Sequence, residues 1–434
     1  MAPRSNKQKG GKKKDAKASL FQSVPGMADI FPSDAGVWRA LRDAAEAVAE
    51  LHDFRRIETP VVEPLANIES ALGSATLGDT SLYLVKVKGQ RLALRAESTV
   101  GTLRSYLEHH LGYVASPFKA WTETPIFRWT PARANQPHLS HEFAFSVIGD
   151  SDPVYDIETI LVLFEFLREL KFKDLKLSVN TLGCRVCRSN YKEKLKAYYQ
   201  SRRSKLCRQC AGWSDRNPWH VFSCETPACR EMRAEAPIVL DYLCQNCNNH
   251  FKAVLELIEE SGIIYEPNPY LLADTDYYNR LAFEISVAGF PKAIASGGRF
   301  DYLSEALHGR MIPAVGGAIR VEATLAALKA LNIQPRMKEK PRVFFIAVGE
   351  QAKKVGVRLI GELRGSGIAV SEVFGKKSIK AQLKVAEKIR SPLVLLVGQK
   401  EAFEGTVIAR DMRTGAQETV VAISLVEEVR RRLK

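Results

Sequence analysis

The residues with the clearest chemistry are the cysteines: all eight in the 434-residue chain fall between Cys184 and Cys247. They form four short pairs, Cys184-x2-Cys187, Cys207-x2-Cys210, Cys224-x4-Cys229 and Cys244-x2-Cys247. Such a turn presents two thiolates to one ion, and a structural zinc takes four ligands tetrahedrally at about 2.3 Å. Four pairs therefore supply two closed zinc sites, structural rather than catalytic because no coordination position is left open. Disulfides are the rival reading, disfavoured because the lysine-rich start has no apolar stretch behind it and so is not a secretory signal. His220 and His250 lie near enough in sequence to replace a thiolate. The order in which the pairs combine stays open.

A second chemistry is phosphate binding by lysine. The formal charge is +14, and it is unevenly spread. Residues 1–17 carry a net +6, residues 336–434 a net +10, and the long middle a net −2. The segment 1–19 has almost no large apolar side chain and is expected to be a disordered basic tail, either a phosphate-binding arm or a solubilising one. Lys376, Lys377, Lys380, Lys384 and Lys388 lie at a spacing that suits one helix face, read either as RNA-binding or as solvated.

These groups need a folded frame, and the composition provides one. Apolar residues make up 46% and charged residues 26%, which excludes a mostly disordered chain and suits two to four domains. No apolar run approaches the about 18–20 residues of a membrane span, the longest strong candidate being Pro392–Gly398. A cytoplasmic protein with no membrane partner is expected. Val37, Leu41, Ala44, Val48 and Leu51 mark a helix face, and Phe54–Thr59 a strand stopped by Pro60. Segments 91–95, 117–129, 141–149 and 276–300 have strand character, while 156–170 and 322–331 read as helices. After a charged linker with two prolines, strands and helices alternate from Arg342 onward, the pattern of an α/β domain with a mostly parallel sheet. The expected divisions are the tail 1–19, a core in two parts (20–180 and 251–334), a cysteine-rich zinc-binding insert at 181–250, and an α/β domain at 342–434.

Several segments together resemble the histidyl-tRNA synthetase family, of bacterial type, within the class II aminoacyl-tRNA synthetases. Val24–Pro32 resembles the opening segment, Arg56–Pro60 motif 1, and Leu94–Thr99 the substrate-amine loop. Pro125–Arg128 resembles the start of motif 2, and Ala314–Ile319 the start of motif 3. Asp276–Arg280 and Ser296–Asp301 resemble the two signatures peculiar to the histidine enzymes, and Lys380–Lys384 with Arg410–Gly415 the anticodon-binding domain.

The resemblance implies an α+β fold with a six-stranded antiparallel sheet and helices, a homodimer, and tRNA or another structured RNA as partner. Glu97 and Thr99 match the residues that hold the substrate's α-amino group, and Arg128 the arginine that contacts the ATP α-phosphate. Tyr278 matches a histidine-pocket tyrosine, and Gly297 with Gly298 a pair that keeps backbone near the ligand. ATP with Mg2+ is implied as well, but several family positions differ here. Thr130 replaces the adenine-reading glutamate, Ala273 and Ala323 replace two arginines, Ser146 and Glu142 replace the imidazole-reading glutamate and glutamine, and Arg320 stands where the family has glycine. Each lost arginine could remove several kcal/mol of transition-state stabilisation, and about 1.4 kcal/mol is already tenfold. The leading expectation is thus a histidyl-tRNA synthetase-like RNA binder, a pseudoenzyme with ATP-dependent histidine activation weak or lost. Its alternatives are a functional histidine–tRNA ligase and a regulatory subunit of the ATP phosphoribosyltransferase type.

Overall fold

The computed structural model describes residues 22–77, 82–129, 137–272, 275, 277–336, 342–375 and 378–433. The basic tail, residues 130–136, Ala273, Asp276, Lys376 and Lys377 lie outside the described residues. The chain divides into two compact units, Met1–Met337 and Lys338–Lys434.

The first unit begins with helix α1 (Ala35–Leu51), which buries Trp38, Leu41, Ala44, Ala45 and Val48 as the apolar spacing requires. Leu51 departs from that reading and is 79% exposed, because the buried stripe stops at Ala49 and the final turn overhangs. Strand β1 keeps only Arg55–Arg56 of the expected Phe54–Thr59. A small sheet follows, with strand order β2-β4-β3, from β2 (Val62–Pro64), β3 (Leu84–Val87) and β4 (Gln90–Leu94), with α2 (Leu65–Leu77) between β2 and β3. Next come α3 (Thr99–Glu108), β5 (Phe118–Phe127), β6 (Leu139–Ile148), α4 (Val154–Glu169) and β7 (Leu175–Thr181). The cysteine region contributes α5 (Arg185–Gln200), α6 (Arg208–Trp213), α7 (Pro227–Ala234) and α8 (Gln245–Glu260). The unit closes with β8 (Tyr265–Pro267), β9 (Asn279–Val287), β10 (Ala295–Arg299), α9 (Asp301–His308), β11 (Ala314–Arg320) and α10 (Val321–Ala330).

The main sheet has eight strands in the order β1-β5-β6-β11-β10-β9-β7-β8, the expected six with one short strand added at each edge. Six of them, β5 to β7 in that order, are antiparallel throughout. The two edge strands β1 and β8 pair in parallel, so the sheet is mixed. At two and three residues these edges are too short to show an alternation in sequence.

The two faces of this sheet have opposite chemistry because strand side chains alternate. Trp121, Phe143, Phe145, Val147, Phe283, Ile285, Val315 and Ile319 point to one side and join the main core with residues of α1, α4, α8 and α10. The opposite face carries small or polar residues in register: Thr122, Ala144 and Ala318 on neighbouring strands, then Ser146, Gly316 and Gly298, and then Glu142 opposite Arg320. Helices α3 and α9 cover one end of that face through Val100, Leu103, Phe300 and Leu303.

In the second unit, β12 (Val343–Ala347), β13 (Val370–Glu372), β14 (Leu393–Val397), β15 (Thr406–Asp411) and β16 (Gln417–Val421) order as β13-β12-β14-β15-β16. The first three run parallel and the last two antiparallel, so the sheet is less uniformly parallel than the alternating pattern implies. Helices α11 (Glu350–Gly365), α12 (Ile379–Lys388), α13 (Gln399–Glu404) and α14 (Leu425–Leu433) complete it.

Candidate active site and cysteine clusters

Glu97 sits just before α3, at the edge of the small-residue face, and is 8% exposed. Its placement comes from Arg95, whose guanidinium donates to the carbonyls of Thr59 (3.2 Å) and Pro125 (3.0 Å), tying this loop to the Arg56–Pro60 segment and to β5. Oε1 of Glu97 accepts the Val100 N–H at 3.3 Å, and Oε2 accepts the Tyr277 hydroxyl. Burial drives the Glu97 carboxyl up to about 7, against the Tyr277 hydrogen bond and the positive Arg128, while Glu142 adds to the rise. Thr99 starts α3 and is half-buried.

Arg128 donates through Nε to the Ala96 carbonyl at 2.6 Å, holding its guanidinium beside Glu97 and Tyr278. Ser98 donates to Glu142 Oε2 at 3.1 Å. Burial also raises the Tyr277 and Tyr278 phenols, keeping both protonated as donors. The result is a cluster of two acidic side chains, an arginine and two protonated tyrosines beside the small-residue face of the sheet. Such a site can seat an ammonium on its carboxylates with an anion beside Arg128.

The glycine pair is also demanded by strand packing. A Cβ on Gly297 would stand 2.3 Å from the Gly316 carbonyl oxygen and 2.5 Å from the Phe283 ring, and one on Gly298 would stand 2.4 Å from the Leu281 carbonyl oxygen. Both are therefore required by strand packing, and Gly297 faces the packed side with Phe283 and Gly317. Ala323 packs against the main core. Arg320 projects on the open side, 2.9 Å from Ser296 Oγ and 3.9 Å from Glu284 Oε1. Sequence reading missed Tyr277 and Ser98 as partners of the two carboxylates. The adjacent tyrosines offered no spacing signal to say which of them turns toward Glu97.

The cysteines form two groups, each with its sulfurs within 4.8 Å of one another. Cys184, Cys187, Cys244 and Cys247 make an outer cluster, and Cys207, Cys210, Cys224 and Cys229 an inner one. The pairing is nested, the first pair with the last. Four sulfurs at about 2.3 Å from a tetrahedral ion stand roughly 3.8 Å apart, and Cys184–Cys187 (3.6 Å), Cys184–Cys244 (4.0 Å) and Cys207–Cys224 (3.9 Å) match that spacing. Cys184, Cys207 and Cys244 each stand at a helix N-cap, where the dipole favours thiolate. Backbone N–H groups of Cys210 and Cys247 draw the Cys207 and Cys244 thiols down to about 7, while burial pushes Cys187, Cys210, Cys229 and Cys247 up. The donor set fits a zinc ion in each cluster. Neither histidine joins them: His220 packs against Trp213, and His250 lies 3.5 Å from Asp156.

Lys380, Lys384 and Lys388 are exposed along one face of α12, opposite buried Gln382 and Ala386. Among the described residues, no helix is long and apolar enough to cross a membrane.

Comparison with known proteins decides the family. A model described as histidyl-tRNA synthetase matches residues 26–324, and one described as an anticodon binding domain matches residues 342–432. The chain belongs to the histidyl-tRNA synthetase family. It is 34% identical over 415 residues to the histidine–tRNA ligase of Moorella thermoacetica, covering 94% of this chain and 97% of that one. The ligase of Dehalococcoides mccartyi is 32% identical over 418 residues, covering 95% and 100%. The crystal structure of apo S. aureus histidyl-tRNA synthetase superposes with a TM-score of 0.78 at 25% identity, covering 94% of this chain and 99% of that one. The fold is thus a class II synthetase core with two four-cysteine clusters and a C-terminal α/β anticodon-binding domain.

Proposed function

We propose that this chain activates histidine with ATP and transfers it to tRNA(His). The carrying observation is the side-chain cluster: Glu97 is buried, accepts the Tyr277 hydroxyl and interacts with the positive Arg128. In this reading Glu97 and Glu142 take the α-ammonium group, Thr99 assists, and Tyr278 borders the imidazole. Arg128 meets the α-phosphate as the histidine carboxylate attacks it and pyrophosphate leaves. Arg320 supplies a second cation over the same face, compensating for the alanine at position 323. ATP is expected as its Mg2+ complex. Each cysteine cluster holds one structural zinc, and two chains associate through the segment around Arg56–Pro60. The anticodon-binding domain supports tRNA as partner, with the exposed lysines of α12 as phosphate contacts, and weighs against a phosphoribosyltransferase regulatory role.

A second reading, an RNA-binding relative with weak or lost activation, is favoured by Ser146 and Ala323, where the family has charged residues. Histidine-dependent ATP–pyrophosphate exchange separates the two. Robust exchange supports the ligase; none, with tRNA binding retained, supports the second.

A further inference from the structure

The outer cysteine cluster lies against the amino-acid pocket. Immediately after Cys187, Arg188 donates through Nη1 to the Tyr278 carbonyl at 3.1 Å. Just before Cys184, the Gly183 carbonyl accepts the Arg280 N–H at 3.0 Å, and the Leu182 N–H donates to the Arg280 carbonyl at 2.6 Å. Gly183 is left-handed (φ +64°), and an added Cβ would stand 2.5 Å from Cys187 Cβ, so this backbone is wedged between the cluster and β9. On the other flank, the Arg185 N–H donates to the Tyr302 hydroxyl at 3.2 Å, and its guanidinium lies 4.1 Å over the Tyr302 ring. The Arg185 guanidinium also pairs with Glu305 at 2.7 Å. Residues 182–188 therefore grip the signature segment that carries Tyr277 and Tyr278 on one side and helix α9, through Tyr302 and Glu305, on the other.

We infer that Arg188 is a positioning residue, and that metal at the outer cluster fixes the Tyr277–Tyr278 segment beneath Glu97. The cluster sets the start of α5, α5 aims Arg188, and Arg188 with Gly183 holds the strand entry on which both tyrosines sit. Loss of the metal frees that entry and loosens the pocket without touching any substrate contact directly. This rests on the ligase reading for its effect on histidine, but the mechanical link is independent of it.

The experiment uses the full-length zinc-loaded protein with Arg188→Ala, Arg188→Lys and, as a control on the exposed side of the same helix, Lys194→Ala. Hydrogen exchange over residues 277–280, zinc content and histidine kinetics are read together. Arg188→Ala should retain both metals, speed exchange over 277–280, and raise the histidine KM about tenfold with a smaller change in kcat, as expected for loss of a charged hydrogen bond. Arg188→Lys should recover part of the effect, and Lys194→Ala should match the parent. Unchanged exchange over 277–280 in metal-replete Arg188→Ala overturns the inference. Should that variant lose zinc, chelator titration of the parent gives the same reading: exchange over 277–280 must rise as the outer metal leaves, and constant exchange overturns the link. If the parent shows no ATP–pyrophosphate exchange, the ligase reading falls while hydrogen exchange still decides the coupling.

Discussion

The Tyr277 hydroxyl donates to Glu97 Oε2 across 180 positions of chain, and both side chains are buried. One comes from the loop before α3 and the other from the approach to β9, so the contact closes the pocket from two sides. Burial raises the Glu97 carboxyl to about 7, against the lowering effect of this hydrogen bond. On the proposed ligase function, the amino-acid ammonium requires the ionised form. Histidine binding should therefore weaken as pH falls below 7, approaching tenfold per unit. Calorimetry from pH 5.5 to 8.5 on the parent and Glu97→Gln isolates this term, because free histidine titrates equally in both. A parent profile no steeper than that of Glu97→Gln would refute it.

The same shift has a stability consequence of defined sign. An acid whose folded pKa lies above its unfolded value favours the folded state at low pH, and the protein loses that contribution as pH rises from about 4.5 to about 7. Glu97→Gln should thus be more stable than the parent at pH 8, by up to about 3 kcal/mol, and nearly equal to it at pH 4. Urea denaturation at the two pH values measures the difference.

Much of this architecture is legible in sequence, for physical reasons. The alternation along 141–149 separates Phe143, Phe145 and Val147 from Ala144 and Ser146, and the sheet has those two faces. The cysteine spacings indicate two four-thiol sites, but the nested pairing depends on α5 and α8 meeting at their N-termini, a relation between segments far apart in sequence. Glycine is ambiguous in the same way: Gly297 and Gly298 suit a ligand's approach or a crowded strand, and the crowding shows only in the neighbouring backbone distances. Leu51 fits the helical stripe and yet lies outside the core, because periodicity says nothing of where the covering layer ends.

Metal removal should act site by site. Cys187→Ser is expected to lower zinc content from two ions per chain to one, Cys210→Ser likewise, and the double variant to none. Elemental analysis of gel-filtered protein checks the counts. A single substitution that empties both sites, or neither, contradicts two independent clusters.

Behind the pocket, Arg299 is fully buried, with its guanidinium donating to the carbonyls of Ser151 (3.1 Å) and Asp150 (3.2 Å) and standing 3.3 Å from the buried Asp156. Asp156→Ala leaves that cation without its counter-charge. Removing one partner of a buried ion pair costs about 3–5 kcal/mol, a large share of a domain's stability. Chemical denaturation should show a loss of that size for Asp156→Ala and a smaller one for Asp156→Asn, which keeps the volume and an acceptor oxygen.

The lysines of α12 predict a salt signature. If Lys380, Lys384 and Lys388 meet RNA phosphates, each releases counterions on binding, and log affinity falls with log salt by about 0.7–0.9 per contact. Replacing all three with glutamine should weaken tRNA binding and flatten that slope by about 2–3. Their spacing on one exposed face lets them contact successive phosphates without moving Gln382, whose Nε2 donates to the Ala347 carbonyl at 3.2 Å inside the fold. Filter binding across a salt series gives the slope, and circular dichroism shows whether the triple variant keeps its fold. An unchanged slope in a folded variant would assign this lysine row to solvent.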